Sequence, residues 1–170
     1  MDDVRMKLSE PPRLMPATTS VRESWLVGER ADCEHDGNPT TVLEQATQDF
    51  EKFVALRQGV LNWWGVPTTL LWYISGDHYL RELIIRHELT PDLVESGGHI
   101  GYCVPTPWRR QGHATRMLAA GLAECPRLGL HRVLLTCDSD NEPSRRVILA
   151  NGGVLEGQAN GEDRFWVSLA

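Results

Sequence analysis

No apolar run in the 170-residue chain approaches the ~20 residues that a helix needs to cross a bilayer. The opening Met1-Asp2-Asp3-Val4-Arg5 also lacks the apolar stretch of a secretory signal. Both absences predict a cytoplasmic protein with no membrane partner. The cysteines Cys33, Cys103, Cys125 and Cys137 stand far apart with no CxxC pair, which argues against a zinc ribbon and a disulfide framework. HxxxH spacing is missing as well, so no metal site is expected. There is no basic excess: the formal charge is −6, and nucleic acid is a poor main partner because phosphate binding needs a basic face. Repeats, low-complexity segments and linkers are lacking. A single domain over 1–170 is expected.

What is present reads as helices alternating with strands. A short strand is expected near Val4–Leu8, then helices over about Thr18–Cys33 and from Thr41 toward Leu61. Thr68–Ile74 and Tyr79–Leu89 read as strands joined at Ser75-Gly76-Asp77, with a loop over Pro91–Gly97. His99–Val104 reads as a strand and Gly112–Cys125 as an amphipathic helix. Arg132–Cys137 is a buried strand, and a helix from Glu142 ends at Asn151-Gly152. Val154–Gly157 and Arg164–Leu169 close the chain as strands joined through Asn160-Gly161. The expected class is α/β: a mixed, mostly antiparallel central sheet flanked by helices, in the order β-α-α-β-β-β-α-β-α-β-β.

The stretch from Val104 to Ala114 joins a strand to a helix. A helix start leaves N–H groups unpaired and partly positive, which suits a phosphate, and a glycine lets the ligand approach the chain. Gly112 supplies that access, Ala114 keeps the surface low, and Arg109 and Arg110 add charge. The pattern is neither GxGxxG nor a Walker loop.

Arg109-x-x-Gly112-x-Ala114 resembles the Q/R-x-x-G-x-G/A motif that receives the coenzyme A pyrophosphate in the GNAT superfamily of N-acetyltransferases. Val104 resembles the strand residue that hydrogen-bonds pantetheine, Asn141-Glu142-Pro143-Ser144 resembles the N-x-x-S/A element, and Gly152-Gly153 stands where Gly-Phe is usual. The resemblance covers His99 to about Glu156. It implies an acyl-coenzyme A core over 98–157 and a variable acceptor-side half over 1–97. It also implies that acetyl-coenzyme A is held by Tyr102, Cys103 and Val104, by Arg109, Arg110, Gln111, Gly112, His113, Ala114 and Thr115, and by Asn141 and Ser144. The implied reaction is direct attack by a primary amine of a small molecule or peptide in a ternary complex. A sensor that binds acyl-coenzyme A without turnover is the alternative, and a homodimer is compatible with either.

Acetyl transfer needs the amine deprotonated and the leaving thiolate protonated. The tyrosine that many superfamily members use as the acid falls here at Ile148, which cannot donate a proton. Ser144 and Tyr102 are the replacement candidates. His99 is the leading base, with His87 and Glu82 behind it. Strict alternation puts His99 and Tyr102 on opposite faces, which a bulge could reverse. Asn141 could also serve simply as a helix cap. Trp63-Trp64 is marked as a loop bordering the substrate entrance.

Overall fold

The computed structural model describes residues 7–102 and 112–170. The candidates Cys103, Val104, Arg109, Arg110 and Gln111 therefore lie outside the described residues. Strand β1 is Arg13–Met15, between Pro12 and Pro16, and most of the strand expected near Val4–Leu8 lies outside the described residues. Helices α1 (Arg22–Asp36), α2 (Thr41–Gln48) and α3 (Phe50–Ala55) follow. The single helix expected from Thr41 is broken at Asp49, whose extended backbone (φ −153°) ends α2 and whose carboxylate accepts from Lys52 N–H to cap α3. Leu61 belongs not to that helix but to strand β2, Val60–Trp63.

Strands β3 (Val66–Ser75), β4 (His78–Arg86) and β5 (Ile100–Tyr102) form a sheet ordered β1-β3-β4-β5. The long β3 carries β1 on Trp72–Ile74 and β2 on Val66–Thr69. Between β4 and β5 the expected loop holds a short helix, α4 (Pro91–Glu95), capped by the Thr90 side chain. The rest of the chain follows the expected order. Helix α5 is His113–Glu124, β6 is Arg132–Asp138, α6 is Glu142–Ala150, β7 is Val154–Ala159 and β8 is Glu162–Ser168. The last three strands make a second antiparallel sheet, β6-β8-β7.

Side-chain alternation assigns the faces. Leu83, Ile85, Ile100 and Tyr102 of the first sheet, and Val133, Leu135, Cys137 and Phe165 of the second, share one core with Met117, Leu118 and Leu122 of α5 and Ile148 of α6. Gly121 lets α5 come close, because a Cβ there would stand 2.8 Å from Leu83 Cδ1. On the opposite face of the first sheet, Trp72 and Ile74 pack against Trp25, Leu26, Phe50, Phe53 and Val54 of α1 and α3. The mixed class with flanking helices is thus observed. One continuous helix-side core spans both sheets, and α1 to α3 cover the other face of the first sheet.

Candidate active site

The two sheets meet along a seam between β5 and β6. At its base His99 N–H donates to Leu134 O (2.8 Å), and Leu134 N–H donates to the His99 ring at Nδ1 (2.9 Å). Gly97 N–H adds a bond to Thr136 Oγ1 (3.0 Å). Gly98, in left-handed backbone (φ +62°), makes the approach feasible. Among the described residues β5 and β6 have no ladder with each other, and this clasp joins them at the seam's base.

His99 therefore cannot take the role the sequence suggests without breaking the clasp. Its Nδ1 lone pair is already engaged by Leu134 N–H, which leaves Nε2 to carry the ring proton. Burial, with a smaller contribution from the Arg86 cation, lowers its pKa to about 4. β5 keeps regular register with β4, so His99 stays on the face opposite Tyr102. A ring held neutral in the folded state contributes stability that is complete above its ordinary value near 6.5 and is lost as pH falls toward about 4. The denaturant midpoint should fall between pH 7 and pH 4.5, and His99→Asn, which keeps an acceptor for Leu134 N–H, should lessen the fall. An equal fall in the variant would show that His99 is not the group responsible.

Three side chains gather on the helix side of the seam. Tyr102, Cys137 and Ser144 lie within interaction range of one another. The Tyr102 hydroxyl is buried and completes no well-formed hydrogen bond among the described residues. Burial pushes its pKa up to about 12, although nearby Ser144 draws it partly back. The Cys137 thiol is likewise pushed up, first by burial and then by the Asp163 carboxylate. Ser144 sits in the first turn of α6, with its N–H bonded to Asn141 Oδ1 (3.2 Å). Asn141 thus does cap the helix. Ile148 is 1% exposed and belongs to the core, so the position of the usual tyrosine here is both inert and inaccessible.

At the other end of the helix side, Gly112 caps α5 with φ +77° and has the Arg116 guanidinium 2.8 Å from where a Cβ would lie. A groove of about 520 Å³ runs between residues 8–12 and His113 and Arg116. The unpaired N–H groups of an α-helix start, an adjacent cation and an open groove together fit a pyrophosphate. His113 is buried. Its ring lies 3.3 Å from Arg116, and burial lowers its pKa. Ala114 and Thr115 are half-buried in the same turn, with Thr115 O accepting from Asn151.

The opposite face of β4 carries Glu82, Ile84 and Arg86. Trp72 Nε1 donates to Glu82 Oε2 (3.1 Å), and burial raises the Glu82 pKa against the pull of Arg57 and Arg81. Leu83 pairs with Tyr102, so Glu82 stands one residue further along, level with the point where β5 ends. His87 is bonded through Nε2 to Thr69 Oγ1 (2.7 Å) at the far end of β4. Trp63 and Trp64 form the tip of the β2–β3 hairpin, with rings in edge contact. Cys137, Arg116 and Arg86 are residues of this region that the sequence alone does not single out. Arg116 was visible one helical turn after Gly112, whereas Cys137 and Arg86 acquire their positions only from the sheet register.

The family description "Acetyltransferase (GNAT) domain" matches residues 30–154. Among solved structures the chain is similar to Mycobacterium smegmatis RimJ in complex with CoA-disulfide, at 21% identity and TM-score 0.64 over 98% of this chain and 88% of that one. It is similar also to a Salmonella typhimurium acetyl transferase that modifies the N-terminal serine of 50S ribosomal subunit protein L7/L12 (18% identity, TM-score 0.61, 96% and 98% covered). A third is the Microcin C7 self immunity acetyltransferase MccE in complex with acetyl-CoA and AMP (14%, TM-score 0.59, 96% of each chain). No curated protein sequence matches the chain. The match over 125 of 170 residues (30 to 154 inclusive), with the fold in agreement, makes this chain a member of the GNAT acetyltransferase family, an acyl-coenzyme A-dependent acetyltransferase with acetyl-coenzyme A as co-substrate.

Proposed function

We propose that the protein acetylates the N-terminal α-amine of a protein by direct attack on acetyl-coenzyme A in a ternary complex. The observation that carries this reading is the seam itself. It offers a buried phenol, a thiol and a hydroxyl on the helix side, and a raised-pKa carboxylate on the other. Similar solved structures include one that modifies the N-terminal serine of a ribosomal protein, which favours a peptide over a small-molecule amine.

Each residue has a role in this scheme. The helix start at Gly112, with Arg116, takes the pyrophosphate, and Cys103, Val104, Arg109, Arg110 and Gln111 supply the remaining contacts that the family resemblance implies. Glu82 accepts the amine proton, directly or through water; its raised pKa makes it a better base than an exposed carboxylate. Tyr102 stays protonated at any working pH and delivers a proton to the leaving thiolate, with Ser144 supporting its hydroxyl. His99 is the strut that holds the seam's base. Cys137 is a poor acetyl carrier, because burial and Asp163 both disfavour its thiolate, the reactive form. The amine therefore attacks the thioester without an acetyl-enzyme intermediate. The protein acts in the cytoplasm, in one domain.

The test is an assay with acetyl-coenzyme A and two peptides of one sequence, one with a free N-terminus and one with it blocked. Acetylation of the free peptide alone is expected. Equal acetylation of both would place transfer on a side chain and overturn the reading.

A further inference from the structure

The acceptor face of β4 holds a cation that the fold leaves without a counter-charge. Arg86 is 8% exposed, yet no carboxylate lies within salt-bridge distance of it among the described residues. The other part-buried arginines have one: Arg81 faces Asp32, Arg145 faces Asp163, Arg164 faces Glu156, and Arg57 feels Glu82 and Glu29. The hydrogen bonds of Arg86 among the described residues go to backbone alone. Its Nη1 donates to Gly98 O (3.0 Å) and Gly97 O (3.3 Å), while its Nε is buried without a partner. A buried, uncompensated charge is costly, and removing the cation would relieve that cost, so the side chain calls for another explanation.

Its surroundings supply one. The guanidinium lies 3.9 Å from where a Gly101 Cβ would stand, one residue from Tyr102 and on the face opposite the phenol. A Cβ at 101 would meet it in ordinary van der Waals contact, so the guanidinium packs directly against β5. The Trp64 ring covers it at 4.3 Å, and Trp64 is half exposed at the tip of the β2–β3 hairpin, where its own backbone is left-handed (φ 56°). A bulky residue in left-handed backbone, holding a large apolar ring in solvent over a buried cation, has the form of a cover over a binding group.

We infer that Arg86, beneath Trp64, binds an acidic group of the acceptor close to the amine that is acetylated, and so selects acceptors with a carboxylate within a residue or two of their N-terminus. This rests on the N-terminal amine reading above. A guanidinium and a carboxylate pair through charge-assisted bonds, which the unpartnered Nε is suited to complete.

The experiment compares kcat/KM for two peptides that differ only in aspartate or asparagine at the second and third positions. The same comparison is made with free aspartate and asparagine. The wild type should prefer the aspartate peptide at least tenfold, mainly through KM. Arg86→Gln should collapse that ratio to within about twofold, and Arg86→Lys should restore part of it. A merely structural arginine would lower both peptides together and keep the ratio. Should Arg86→Gln not fold, salt decides on the wild type: raising it from about 0.05 to about 0.5 M should narrow the ratio. A wild-type ratio near one, or a ratio unchanged in Arg86→Gln, overturns the proposal. If only the free amino acids are acetylated, the peptide reading fails, while a preference for aspartate over asparagine that Arg86→Gln abolishes still supports the anion site.

Discussion

Tyr102→Phe should lower kcat by roughly 10²–10⁴-fold, the usual loss when a positioned acid is removed, while the coenzyme A dissociation constant stays nearly unchanged. The phenol is the best-placed proton donor on the helix side of the seam, and burial holds it protonated. Because its hydroxyl completes no well-formed hydrogen bond among the described residues, deleting it should leave the fold intact. Ser144→Ala should cost less, since that hydroxyl acts through its neighbours. Measuring kcat and the dissociation constant on both variants separates the roles. A Tyr102→Phe enzyme with near wild-type kcat would show that the thiolate leaves without this acid.

Gly98→Ala should be the most destabilising small change near the site. An added Cβ would stand 2.4 Å from Leu134 O and 3.0 Å from Leu134 C, both backbone atoms of β6, which its ladder with β8 holds in place. The residue's φ of +62° adds strain for any side chain. Strained backbone costs of order 1–3 kcal/mol and overpacking a similar amount, so about 3 kcal/mol in total is expected. For a chain of this size that lowers Tm by roughly 6–12 °C. The same change forces the seam's base apart, so residual activity should fall further than Tm alone explains. A Tm within about 2 °C of the wild type would mean that the clasp is not as tight as the distances say.

The second half of the chain was legible because its physics is local. Helix α5 shows its apolar stripe at helical spacing, α6 has an Asn141 cap and a glycine stop, and the Asn160-Gly161 turn joins β7 and β8. The first half was harder. Phe50, Phe53, Val54 and Leu61 suit one helix by spacing alone, which hid both the Asp49 break and strand β2. Trp64-Gly65 forms a turn with both φ angles positive, a conformation a tryptophan rarely adopts and no residue rule anticipates. Thr90-Pro91-Asp92 is a readable cap signal, and it starts α4 inside the expected loop.

The candidate site divides in the same way. Gly112 and Asn141 carry their positions in their own sequence, as a helix start and a cap. Tyr102 could be placed on a face by alternation. His99 was placed on its face correctly, but its bond from Leu134 N–H depends on a strand 35 residues away. Cys137 and Arg86 depend wholly on which strands are neighbours, so nothing near them in the chain announces their surroundings.

Direct transfer across the seam requires both substrates to be bound together, which the initial-rate pattern reveals. Free thiol release is followed while acetyl-coenzyme A and a peptide with a free N-terminus are varied together. Reciprocal plots that intersect, with acetyl appearing on the peptide α-amine, are the predicted result. Parallel lines with an acetylated Cys137 intermediate, or no thiol release with any amine, would contradict it.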